Sequence, residues 1–333
     1  MDAYEDPELA EIQARLQDQD SAVRRIAILD LADIAGDDHV ALFIDALRDP
    51  APSVRAEAAH ALEAFESQAS VGGLVALLHD NDPAVREAAA HGLSDLKETG
   101  HAALLLPHLD TDNSFVRAAV LRALRQLRAP ESLAPALAAL DDADIAVRRE
   151  AVSVLGYLKN PDALDALTRS ASGDPDAEVR RTAVGALGYA SSDTVLDALV
   201  QALNDAVWQV REETATTLGK LGLPASVDPL VAALRDPYWQ VRLRAARSLG
   251  RLRATKAVAP LLLVLEHEIS NLRKEAALAL GDIGSADALP ALEKRQDDGD
   301  PEVRKSVRLA IAQIHAAHAA SPALSATLSA RAK

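Results

Sequence analysis

The chain has no cysteine, and its 333 residues include only two tryptophans, four tyrosines, three phenylalanines and one methionine. Disulfides, thiolate metal sites and cysteine nucleophiles are excluded. With aromatics at 3%, the core must come mainly from Ala, Leu and Val. That composition suits closely approaching helices better than sheets, which favour β-branched and aromatic residues. Basic residues are also in deficit, 35 against 50 acidic, for a net charge of −15. Generic attraction to nucleic acid or anionic membrane is therefore excluded over most of the surface, and neither is expected as a partner. Long apolar runs are missing too. The longest, AVAPLLLVL, is too short to span a bilayer. The opening MDAYEDPELAEIQARL is acidic and lacks the basic and apolar regions of a secretory leader. These absences predict a soluble cytoplasmic protein.

What is present is a repeat. Val-Arg recurs at Val23, Val54, Val85, Val116, Val147, Val179, Val210, Val241 and Val303, with Leu272-Arg273 filling the one gap. The spacing is 31 residues, with a single step of 32 between Val147 and Val179. A constant period of this size is the mark of a solenoid. Four residues after each anchor stands a small or β-branched residue, and eight after it Leu or Ile, as in Ala89 and Leu93. Positions 0, 4 and 8 make one helical stripe. Upstream phrases such as VLDALVQALND supply a first amphipathic helix, with Leu seven residues before the anchor at Leu47, Leu78, Leu109, Leu140, Leu203, Leu234 and Leu265.

Asp82-Pro83, Asp174-Pro175, Asp236-Pro237 and Asp300-Pro301 place a capping side chain and a proline where each second helix should begin, and Gly36, Gly100, Gly222 and Gly284 follow its end. No stretch alternates like a strand. The sequence thus predicts an all-α solenoid of about ten two-helix repeats over residues 1–318, followed by an Ala/Ser-rich tail at 319–333. Neighbouring repeats must bury one another's stripes.

The phrase D-P-x-x-V-R-x-x-A-A-x-A-L-G, plainest in NDPAVREAAAHGLSDL and NLRKEAALALGDIG, resembles the HEAT-like repeats of the phycobilisome-lyase (PBS lyase) type over roughly residues 6 to 317. The resemblance implies a right-handed superhelix whose second helices line a concave groove that receives a partner. It also brings two enzymes into view. In deoxyhypusine hydroxylase, a HEAT-like enzyme, the iron ligands are His-Glu pairs inside second helices, whereas the matching places here hold Arg86-Glu87, Arg149-Glu150, Glu212-Glu213 and Lys274-Glu275, and His267-Glu268 lies before its anchor. The alkylpurine DNA glycosylases of similar architecture use a basic groove, against the acidic balance here. No catalytic activity and no cofactor are expected.

An arginine follows the anchor in every repeat, from Arg24 to Arg304. A charge common to all repeats is better explained by stacking than by a ligand, pairing either with Asp20, Asp82, Asp144 or Asp300 at the preceding turn or with helix ends in the next repeat. Function is sought where repeats differ. Trp208 and Trp239 both stand two residues before an anchor, each followed by Gln (Gln209, Gln240), so stacking should set them side by side with Tyr238 in one aromatic surface. Arg244 and Arg247 add a basic island, with no acid between Asp236 and Glu266 in sequence. The bland reading makes the tryptophans gap fillers and pairs Arg244 with Glu213 and Glu275. Along the row six residues after the anchor stand His60, His91 and Arg122. Two histidines without a firm third and fourth ligand read as groove residues, and no metal site is expected.

The resulting expectation is a non-catalytic scaffold that holds an unidentified protein in its groove through the aromatic and basic patch of repeats seven to nine. The alternative is an accessory or maturation factor, similar to a bilin lyase subunit, that carries a small anionic cofactor or chromophore to an enzyme.

Overall fold

Each 31-residue phrase starts its second helix two residues before the anchor, where the chain leaves a short polar turn. At Asp20, Asp82, Asn113, Asp144, Asp176 and Asp300 the side chain accepts hydrogen bonds from backbone N–H groups of the new helix. Each such cap contributes about 1 kcal/mol. Asp174 and Asp236 are not caps: they lie two residues upstream of the N-cap positions held by Asp176 and Tyr238.

The computed structural model describes residues 7–190 and 193–331. Among these residues there are helices and turns and no strand, and the fold is an all-α solenoid. The acidic leader at 1–6 lies outside the described residues.

Two compact units divide the chain, residues 1–163 and 164–333. The first contains α1 (Pro7–Leu16), α2 (Ser21–Ile34), α3 (Val40–Ala46), α4 (Pro52–Ala61), α5 (Gln68–Leu77), α6 (Pro83–Leu93), α7 (Ala102–Leu105), α8 (Ser114–Leu127), α9 (Leu133–Ala138) and α10 (Ile145–Leu158). The second contains α11 (Leu164–Gly173), α12 (Ala177–Ala186), α13 (Leu196–Ala202), α14 (Trp208–Leu221), α15 (Val227–Ala233), α16 (Trp239–Arg251), α17 (Val258–Leu265), α18 (Ser270–Ile283), α19 (Leu289–Lys294) and α20 (Pro301–Arg331). Within each unit every odd-numbered helix packs on the even-numbered helix after it, and successive even-numbered helices pack on one another. The backbone of α20 continues as helix through the Ala/Ser-rich segment as far as Arg331. No described helix is long and apolar enough to cross a membrane.

The stripe at positions 0, 4 and 8 forms the core: Val85, Ala89 and Leu93 are fully buried, as are Val241, Ala245 and Leu249. Burial of a Val or Leu side chain contributes roughly 1.5–3 kcal/mol, so the stripes of adjacent repeats supply most of the cohesion. Five second helices, α8, α10, α14, α16 and α18, end by a shared device twelve residues after the anchor. Gly222 (φ 69°) and Gly284 (φ 75°) adopt the left-handed conformation there, and Arg128, Lys159 and Arg253 adopt it without glycine's freedom. Gly36 and Gly100 do not serve this way; Gly36 is extended (φ −114°, ψ −176°) and Gly100 lies inside a turn of 3-10 helix at Thr99–His101.

Gly72 stands exposed within α5, and a Cβ there would meet nothing within 4 Å. Gly72→Ala should therefore raise stability by about 0.5–1 kcal/mol through helix propensity alone. Urea unfolding of the variant checks this; a loss of stability would show that the glycine serves some packing role.

Candidate functional site

At Arg24, Arg55, Arg117, Arg180, Arg211 and Arg273 the arginine after the anchor proves to be a structural rung: its Nη1 donates to carbonyls of its own preceding turn, and its Nε and Nη2 grip an aspartate 25 residues further on, in the next repeat. Arg55, for example, binds Asp80 at 2.8 Å through both nitrogens and the Asp49 carbonyl at 2.7 Å. The same geometry joins Arg24 to Asp49, Arg117 to Asp142, Arg180 to Asp205, Arg211 to Asp236 and Arg273 to Asp298. The capping residues Asp20, Asp82, Asp144 and Asp300 are not the partners the sequence suggested. The rung acids stand five residues before the anchor, and each also accepts a backbone N–H two residues on, as Asp236 does from Tyr238 at 2.8 Å. The Arg55 hydrogen bond holds the Asp80 carboxyl below its ordinary range against the opposing effect of burial.

The candidate patch lies at the N-termini of α14, α16 and α18. In three successive repeats the capping residue has been exchanged for Val207, Tyr238 and Ile269, none of which makes a side-chain cap. Apolar and aromatic side chains thus stand where orphan backbone N–H groups remain, at a cost of about 1 kcal/mol per helix.

Trp208 is half-buried and stacks on Tyr238, ring centroids 5.5 Å apart and planes 14° apart. Tyr238, 44% exposed, also has the Arg211 guanidinium over its ring at 5.5 Å. The aromatic pair across this repeat step is thus Trp208 with Tyr238. Trp239, the first residue of α16, is half-buried and makes no ring contact among the described residues. Gln209 and Gln240 occupy the second positions of their helices and are half-buried, the Oε1 of Gln240 being buried without a hydrogen-bond partner.

The basic island is largely neutralised by acids from neighbouring repeats. Arg244 donates to Glu212 at 2.9 Å, and Arg247 makes a bidentate pair with the buried Glu275 at 2.8 Å. The partner of Arg244 is therefore Glu212, not the Glu213 or Glu275 anticipated from sequence. Arg122 follows the same rule, meeting Glu150 at 3.3 Å, a buried carboxylate that also faces Arg125 at 3.4 Å and Arg149 at 3.6 Å. These pairs connect row six of one repeat to row three of the next, or row two to row three, so these rows are only partly open to solvent.

His60 and His91 do come together, their rings 6.4 Å apart in an edge-on arrangement. Both place Nδ1 near the same oxygen of Glu63, at 3.0 and 3.2 Å. Among the described residues no group of three or more His, Asp or Glu side chains is placed to hold a metal ion.

Reading the sequence missed Val207, Ile269 and the aspartate rungs. The signal was available: with the repeats aligned on their anchors, the third position upstream reads Asp, Ala, Asp, Asn, Asp, Asp, Val, Tyr, Ile, Asp.

Comparison with known proteins agrees with this architecture. The family model described as HEAT repeats matches overlapping windows at residues 9–94, 40–125, 102–181, 133–219, 169–240 and 227–312. Among solved structures the chain resembles Kap95p in its complex with RanGDP (14% identity, TM-score 0.67, covering 92% of this chain and 50% of that one). It also resembles an engineered protein (21% identity, TM-score 0.52, 92% and 99%) and YibA of E. coli (18% identity, TM-score 0.51, 90% and 99%). At these identities the likeness is one of fold. No curated protein matches the sequence.

Proposed function

The chain belongs to the HEAT-repeat family, and from that premise we propose that it is a non-catalytic adaptor, of the PBS-lyase repeat type, whose second-helix N-termini in repeats seven to nine bind a protein partner. The observation that carries this reading is the loss of three consecutive caps in favour of Val207, Tyr238 and Ile269, around an aromatic stack that remains part-exposed. Stability is given up where apolar contact area is gained, the usual balance at a binding surface. Similar solenoids support it: Kap95p is described in complexes with RanGDP and with Nup1.

The reading differs from the sequence expectation in its anchors. Trp208 and Tyr238 are the hot-spot candidates, because a stacked, half-exposed aromatic pair offers a large rigid surface at low entropic cost. Arg244 and Arg247, already paired, contribute to placement of the helices.

An affinity purification from the native host, with wild type and Trp208→Ala/Tyr238→Ala, tests this. A specific protein should be retained by wild type and weakened at least ~10-fold in the variant, while circular dichroism shows an unchanged helical signal. If every protein partner survives in the variant and only a copurifying small molecule is lost, the adaptor reading of this surface fails and a carrier takes its place.

A further inference from the structure

Equivalent cavities recur beside the arginine rungs. One lies beside Arg24 and Asp49, about 350 Å³; another beside Arg117 and Asp142, about 390 Å³; a third beside Arg242 and His267, about 440 Å³. In the first two the guanidinium is closed by its carboxylate, through Nε and Nη2 at 2.6–2.9 Å. In the third the rung acid has been replaced by histidine.

His267 retains one half of the aspartate's task. Its Nδ1 accepts the Ile269 backbone N–H at 3.0 Å, the bond that Asp236 makes to Tyr238 and Asp205 makes to Val207. With Nδ1 occupied as an acceptor, the neutral ring carries its proton on Nε2, so it offers Arg242 a donor and no acceptor. Arg242 is accordingly left without a partner among the described residues, and its Nε is buried with no hydrogen bond. A buried donor in this state keeps the full cost of its lost hydration until an acceptor reaches it. Arg235, exposed, adds a second guanidinium to the cavity lining, which contains no carboxylate. The remaining wall is aliphatic, including Pro260, Val264 and Leu263, the last 73% exposed.

We propose that this cavity binds a carboxylate carried on a short aliphatic group. The carboxylate takes the place on Arg242 that an aspartate holds at the other rungs, and the aliphatic body lies against Pro260, Leu263 and Val264. The volume is in the range of small-ligand sites, and a charge-assisted bidentate bond to arginine is the interaction the fold already uses at six rungs. The site is separate from the Trp208–Tyr238 stack, so its failure leaves the adaptor proposal standing.

The test is an NMR titration of the full chain with hexanoate, with its neutral analogue hexanamide, and with a short leucine-terminated peptide bearing a free or an amidated C-terminus. Two variants accompany the wild type. Arg242→Gln removes the guanidinium, and His267→Asp restores the missing rung. Hexanoate binding without hexanamide binding assigns the site to free acids; binding of the acid peptide alone assigns it to chain ends. Either result requires at least a ten-fold loss in both variants, with His267→Asp melting above wild type because its rung is closed from within. The proposal is overturned if neither acid binds, if the amides bind equally, or if binding survives His267→Asp.

Discussion

Gly250→Val should lower the stability of the unit formed by residues 164–333 by about 3 kcal/mol or more, and Gly250→Ala should lower it by up to about 2 kcal/mol, against the usual helix preference. Gly250 lies nine residues after its anchor, on the face of α16 that meets α18. A Cβ at this position would stand 2.8 Å from the Ala279 Cα and 3.1 Å from its Cβ. The first of these atoms is backbone, so relief requires the two helices to part. The same contact recurs at Gly281 against the Ala310 Cα, 2.8 Å, and at Gly219 against Ser248, whose hydroxyl donates to the Ala215 carbonyl at 2.7 Å. Glycine thus sets the close spacing of α14, α16, α18 and α20. Alanine would gain about 1 kcal/mol of helix propensity over glycine, while overpacking costs roughly 1–3 kcal/mol and rises with each added methyl. Urea unfolding followed by tryptophan fluorescence reads this directly, since Trp239 is on α16 itself. A more stable Gly250→Ala would mean that the spacing of α16 and α18 is soft.

Gly72, with no such neighbour, responds in the opposite sense, so the pair of substitutions separates packing from propensity. It also marks the boundary of what a repeat sequence reveals. The anchors and the 0, 4, 8 stripe were legible because burial imposes one pattern on every helix. Val85, Ala89 and Leu93 repeat as Val241, Ala245 and Leu249. Asp82 and Asp300 were legible as caps because a cap acts within four residues of its helix. Asp236 was misread as a cap for the converse reason: its main partner, Arg211, lies 25 residues earlier, and only stacking brings the two together. The basic island failed in the same way. A gap in acids along the sequence says little when Arg244 and Arg247 reach Glu212 and Glu275, 32 and 28 residues away. Charge in a solenoid is balanced across repeats, so the informative comparison runs down an aligned column. Columns three and five upstream of the anchor expose Tyr238 and His267 as departures.

Asp80→Ala should destabilise the unit formed by residues 1–163 by about 3 kcal/mol, against about 1 kcal/mol for the neighbouring cap variant Asp82→Ala. Both aspartates accept backbone N–H groups, so the difference isolates the rung. Asp80 takes two hydrogen bonds from Arg55 and one from the Asp82 N–H, and both side chains are largely buried, at 10% and 15% exposed. Removing the carboxylate leaves the Arg55 guanidinium underused between repeats, the expensive way to break an ion pair. The same pair carries a pH signature. Its hydrogen bonds from Arg55 hold the Asp80 carboxyl below its ordinary value, with burial opposing, and the direction is the same for Asp298 beside Arg273. A depressed carboxyl stabilises the fold fully above the unfolded-chain value, about 3.9, and that contribution drains as pH falls through the lower folded value. Wild type should therefore lose stability steeply below about pH 4, and Asp80→Ala should show a shallower slope there, because one proton-linked rung is already gone. Thermal melts between neutral and acid pH measure both quantities. An unchanged slope in the variant would show that the acid sensitivity arises elsewhere, and a stability loss no larger than that of Asp82→Ala would show that the rung adds nothing to the stacking of α4 on α6.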